Sequence, residues 1–187
     1  MGIPTLISTS TASDSSSIDI TSGIDSTYDE YMFVITALRT GNQGVNLMIS
    51  FSGDGGSNYT YPQTTTIFQA YHQEDDSGTA SVGYQASHDI AQGTAGHRLV
   101  PDASDAADAS MSGIINLYTP SNTTYVNHWC ARMSHHGGDV DDSTNYAADS
   151  FSAGYLNLTT GQADIDAVKF AASGGNIYGT IQMYGIA

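Results

Sequence analysis

Residues 174–187, GGNIYGTIQMYGIA, decide the reading of the fold. Ile177, Ile181 and Met183 fall on one side of an alternating run, and Tyr178, Thr180, Gln182 and Tyr184 on the other. That period of two is the mark of a half-buried β-strand. Two glycines precede it, as turn residues do. A strand stays ordered only where its backbone groups are paired. The stretch therefore predicts a sheet that it completes, in a hairpin with DIDAVKF (164–170) across the turn ASGG (172–175).

The same pattern recurs upstream. GVNLMISFS (44–52) places Val45, Leu47, Ile49 and Phe51 on one face. EYMFVITAL (30–38) is apolar on both, with Met32, Val34 and Leu38 opposite Tyr31, Phe33 and Ile35. It reads as a strand covered on both sides, joined to the next by a hairpin loop at RTGNQG (39–44). GDGGS (53–57) is a further turn, since Asp-Gly and Gly-Gly reach positive φ at low cost. TTTIFQAYHQ (64–73), ASVGYQAS (80–87), AGHRLV (95–100), MSGIINLY (111–118), YVNHWCARM (125–133) and DSFSAGYLNL (149–158) have β composition. MSGIINLY puts Met111, Ile115 and Leu117 inward, and YVNHWCARM does the same with Tyr125, Trp129, Ala131 and Met133. In DIDAVKF, Ile165 is out of phase with Val168 and Phe170, which predicts a bulge. DASDAADAS (102–110) has no apolar stripe of helical period. About nine or ten strands without a helix predict an antiparallel β-sandwich, a jelly roll of eight core strands with additions. STSTASDSSS (8–17) is polar and of low complexity, so residues 1–17 read as a flexible arm and 18–187 as the sandwich domain.

At 187 residues the chain can bury about 70% of its unfolded surface and needs no covalent staple. Cys130 is its single cysteine, so no internal disulfide forms. It begins Met1-Gly2-Ile3-Pro4, without a basic or apolar leader, and has no apolar run of about 20 residues, which argues against membrane insertion. Synthesis in a reducing cytoplasm is the expectation. Nineteen Asp and Glu against four Lys and Arg give a formal net charge of −15. Nucleic-acid binding requires clustered cations, and Arg39, Arg98, Arg132 and Lys169 stand singly.

HWCARMSHHGGDVDD (128–142) is the densest chemical patch. His128 and Cys130 share a strand face, and His135, His136, Asp139, Asp141 and Asp142 are read as a following loop. The carboxylates of Asp139, Asp141 and Asp142 are calcium candidates, but they lack the pattern of an EF-hand loop. The spacing matches no zinc signature. Cysteine catalysis would pair Cys130 with His128. A strand cysteine is more often a small buried hydrophobe, and no hydrolase, zinc-protease or phosphate-loop motif is present. No catalytic residue and no cofactor is assigned. The twelve tyrosines are more informative. Their rings bury while their hydroxyls still find partners, so Tyr178, Tyr184, Tyr155 and Tyr118 are read as assembly contacts.

Three motifs in order carry a resemblance: YDEYMFVITAL (28–38), SGDGGSNY (52–59) and GNIYGTIQMYGIA (175–187). The chain resembles small β-sandwich virion structural proteins of tailed bacteriophages, marine ones especially, on Tyr28, Tyr31, Ser52, Asp54, Gly55, Gly56, Ser57, Tyr59, Gly179, Ile181, Met183, Tyr184, Gly185 and Ile186. The resemblance implies a capsid decoration protein or a tail-fibre component, with no catalytic residues. Its expected partners are the major capsid protein or tail, and a second and third copy of itself as a dimer or trimer. The alternative is a receptor-binding tail component that takes a host glycan. The expected location is the virion, after synthesis in the host cytoplasm.

Overall fold

A computed structural model of the chain describes residues 2–76, 78, 80–138, 145–158 and 162–187. Among them run twelve strands and no helix: β1 (Thr5–Ser15), β2 (Ser17–Ile20), β3 (Glu30–Thr40), β4 (Val45–Ser52), β5 (Gln63–Gln73), β6 (Ser81–Tyr84), β7 (His97–Ala103), β8 (Met111–Tyr118), β9 (Asn127–Gly137), β10 (Tyr146–Leu156), β11 (Ala167–Ala172) and β12 (Ile177–Ile186). All pair antiparallel. One array runs β1-β12-β3-β8 and another β2-β11-β4-β7. Counted one to eight along the chain, these strands pair as 1-8-3-6 and 2-7-4-5. That is the order of a jelly roll, as the sequence predicts. The remaining strands β9, β10, β5 and β6 widen the first array beyond β8. A single pairing of β7 with β9, Ala103 opposite Gly137, joins the two sheets at one corner.

Alternation builds the core. Tyr31, Phe33, Ile35, Ile181, Met183, Ile115, Leu117, Trp129 and Met133 point inward from the large sheet. Leu47, Ile49, Phe51, Val168, Phe170, Ile18 and Ile20 meet them from the small one. Phe33 meets Phe170 edge-on at 5.7 Å between centroids, and Phe51 lies 5.9 Å from Trp129. The closing strand β12 is interior, with β1 on one side and β3 on the other. Its backbone groups are therefore satisfied on both edges.

Several sequence expectations change. Residues 1–17 are not an arm throughout, because Thr5–Ser15 pair with β12 and Ala12 is buried. Threonine-rich polar sequence suits an edge strand as well as a loop. With β1 and β2 added, the strand count exceeds the nine or ten expected. The turns at 39–44 and 172–175 are not hairpins, since β3 and β4, like β11 and β12, lie in different sheets. Leu38 sits on the same inner face as Ile35, not opposite it. Between them β3 carries one extra residue, with Ala37 at φ 48°. This bulge resets the alternation. Gly179 lies opposite, where a Cβ would come within 2.6 Å of Leu38 Cα. Ile165 belongs to the loop before β11 rather than to a bulge, and it is fully buried. Tyr125 precedes β9 and is 72% exposed. His135 and His136 are strand residues of β9, not loop residues.

Under the added strands the interior turns polar. Gln63, Thr65, Gln69, Ser150, Ser152, His97 and His135 are buried there. His97 Nδ1 lies 3.0 Å from Thr65 Oγ1, and its ring packs on Trp129 at 5.0 Å. Gln69 Nε2 donates to Ser150 Oγ at 3.2 Å and lies 3.4 Å from His135 Nε2. Burial holds His97 down to about 3 and His135 to about 4. Both imidazoles are thus neutral near neutral pH.

Candidate functional site: the outward face of the large sheet

In a sandwich the residues that alternate with the core face solvent. On the large sheet one line of this outward set carries an aromatic and aliphatic stretch. Tyr84, Phe68, Phe151, Arg132, Ile114, Val34, Gln182 and Thr9 stand opposite one another on successive strands from β6 to β1. At about 4.8 Å per strand the row is about 34 Å long. Phe68 stacks on Phe151 at 4.8 Å with 4° between planes. The Arg132 guanidinium covers the other side of Phe151, 4.8 Å from its centroid. Its Nη2 donates to Asp149 Oδ2 at 2.6 Å, which fixes the fork over the ring. Phe68 is 44% exposed, Ile114 43% and Tyr84 58%.

The next row is smaller. Thr66, Ala153, Cys130, Asn116 and Met32 succeed one another across β5, β10, β9, β8 and β3. Beyond it Tyr155 and His128 rise again, 6.2 Å apart edge to face. Large, small and large rows leave a trough across the strands. Over Cys130 and Ala153 it forms a cleft of about 450 Å³, walled by Phe68, Phe151 and Ile114. A second hollow of about 310 Å³ continues it beside His128 and Tyr155.

Charge sorts with this geometry. Among the outward residues of the eight strands, Asp14, Glu30 and Asp149 stand against Arg39 and Arg132, a net of one negative charge. Most other acids lie between strands, among them Asp25, Asp29, Asp54, Glu74, Asp89, Asp105, Asp108, Asp164 and Asp166. A face of little net charge, with an exposed aromatic row, thus sits on a chain of formal charge −15.

The structure brings all four predicted tyrosines onto this face. Tyr178 donates to Asp14 Oδ1 at 2.6 Å, beneath Arg39 at 4.2 Å. That bond, then one from Asn176, lowers the Asp14 carboxyl. Tyr184 lies opposite Leu6 and Met32. Tyr155 borders the second hollow. Tyr118 Oη is 3.3 Å from Cys130 Sγ, and this contact together with burial lifts the phenol to about 12. The polar neighbours of Cys130 are Tyr118 and Asn116, while His128 packs on Tyr155, so His128 and Cys130 form no nucleophile–base pair. Asp139, Asp141 and Asp142 lie outside the described residues. Among the described residues no group of three or more His, Cys, Asp or Glu is placed to hold a metal ion.

The row itself escaped the sequence reading, apart from its β3 member. The signal was two large apolar residues in succession, Ile67-Phe68 and Ile114-Ile115, because in a strand one of each pair must face outward. Residues behind the phage resemblance are structural instead. Ser52 Oγ donates to Asp54 Oδ1 at 2.7 Å, and Asp54 accepts the Asn58 side chain and backbone N–H, which holds its carboxyl at about 2. Gly185 makes room for the Tyr28 ring, 2.3 Å from where its Cβ would stand. Comparison of the chain with protein-family models, with curated proteins and with solved structures finds no match in any of the three.

Proposed function

We propose that this chain is a non-enzymatic structural protein of a tailed-bacteriophage particle, a capsid decoration protein that seats the outward face of its large sheet on the shell. One observation carries the reading: the row of Tyr84, Phe68, Phe151 and Ile114, crossed by Arg132 and with Tyr84, Phe68 and Ile114 exposed, on an otherwise acidic chain. Isolated surface hydrophobes need no explanation, but a contiguous line of them marks a contact face. A contact face of little net charge lets an acidic protein crowd onto a lattice with few carboxylates brought together. The phage resemblance, carried by Tyr28, Asp54, Gly185 and their companions, supplies the kind of particle. Quantitative mass spectrometry of purified particles tests it. Copies in the hundreds are expected, and absence from the particle refutes the reading.

The second reading is a receptor-binding tail component. Its specific support is the trough, where Asn116, Arg132 and His128 place hydrogen-bonding groups beside Tyr155 and Phe151. Sugar rings are held by such mixtures of aromatic faces and polar groups. A few copies per particle, together with saturable glycan binding lost on Tyr155→Ala, would favour it.

A further inference from the structure

Sheet edges expose unpaired backbone groups, and proteins blunt them with shortness, charge, proline or cover. Three of the edges here are blunted. β6 and β2 have four residues each, and β2 also carries Asp19 in an ion pair with Lys169 at 3.4 Å. β7 contains Arg98, Pro101 and Asp102 and is tied to β9. β1 carries such devices only toward its ends, where Asp14 and two register shifts lie. It is eleven residues long, pairs on one side with β12, and has no charge and no proline from Thr5 to Ser13. Its register shifts fall between Leu6 and Ser8 and between Ala12 and Ser15, leaving Ser8–Ala12 as a regular run.

We infer that β1 is a self-association edge, and that two copies of this chain pair antiparallel through it about a two-fold axis at Ser10. The partner follows from charge. Molecules of formal charge −15 repel, and this edge brings no acid opposite another. An isologous contact is self-complementary, and Ser8–Ala12 is nearly palindromic in character, with Thr9 and Thr11 flanking Ser10. In that register Thr9 of each copy faces Thr11 of the other, both on the outward face. Threonine pairs of this kind favour pairing. The aromatic row, which ends at Thr9, then continues into the partner's sheet. The inference stands on the edge alone and holds whether or not the outward face meets a capsid.

The test is a charge swap read by light scattering after size exclusion, at about 100 µM and below. The unaltered chain is expected to be a dimer. Thr9→Lys with Thr11→Lys sets lysine against lysine twice and should weaken dimerisation about tenfold or more. Thr9→Lys with Thr11→Glu sets lysine against glutamate in the antiparallel register and should restore it. Both sites are exposed in the protomer, and both variants place charge at the same two positions, so a folding defect common to both would show equally in circular dichroism. A monomeric unaltered chain overturns the inference. So does equal dimerisation of the two variants, or the loss of the dimer in both while they remain folded.

Discussion

Mild acidification should destabilise this protein through two buried histidines. His97 and His135 are buried and neutral, held from 6.5 to about 3 and about 4 by burial first of all. Unfolding returns both to about 6.5. A depressed histidine contributes stability that is fully present above the unfolded value and is lost as the pH falls toward the folded one. The window here runs from about pH 6.5 down to about pH 4. Between about pH 7 and about pH 5 each imidazole in the unfolded chain gains nearly a full proton that the folded chain refuses. The cost is about 2 kcal/mol per histidine and about 4 kcal/mol for the pair. For a chain of this size that is a fall in Tm of roughly 8–16 °C. Hydrogen bonds hold the Asp14, Asp25 and Asp54 carboxyls below their ordinary value, so these three stay ionised over the same interval. The assay is calorimetric Tm against pH for the unaltered chain and for His97→Gln with His135→Gln, since glutamine can keep a bond to Thr65 or Gln69. The double variant should show a much flatter profile. A flat profile in the unaltered chain, or equal slopes in both, would falsify the assignment of neutral buried imidazoles.

Other consequences follow from the packing. Gly179→Ala should cost about 2 kcal/mol or more by urea unfolding, because φ is 128° and the new Cβ would strike Leu38 across the bulge. Removing residues 176–187 should leave an unfolded chain by circular dichroism. It deletes an interior strand and the buried Ile177, Ile181 and Met183, each worth about 1.5–3 kcal/mol, and net stabilities are only about 5–15 kcal/mol. Phe68→Ser with Ile114→Asp should lower stability by only about 1 kcal/mol, the worth of the lost ring stack. The same pair should abolish attachment to particles in a sedimentation assay.

The jelly roll was legible because its core strands alternate cleanly. Leu47, Ile49 and Phe51, or Ile177, Ile181 and Met183, announce both strand and inner face. What was not legible depended on partners far along the chain. Whether 39–44 closes a hairpin or crosses between sheets depends on where β4 and β12 go, and no local residue says so. β1 escaped because a Ser/Thr-rich segment carries no apolar rhythm, and only β12 beside it makes it a strand. Leu38 was misplaced because a bulge shifts phase without a sequence mark at Ala37. The outward tyrosines were legible as strand aromatics. Their gathering on one face, and the trough between Phe151 and Tyr155, needed the register of four neighbouring strands.

Cryo-electron microscopy of the phage particle proposed to carry this protein is the deciding measurement. Jelly rolls are expected in many copies on the shell, with Phe68, Phe151 and Ile114 turned toward the capsid and the acidic loops outward. A shell without them, or one that bears them with that row facing solvent, would contradict it.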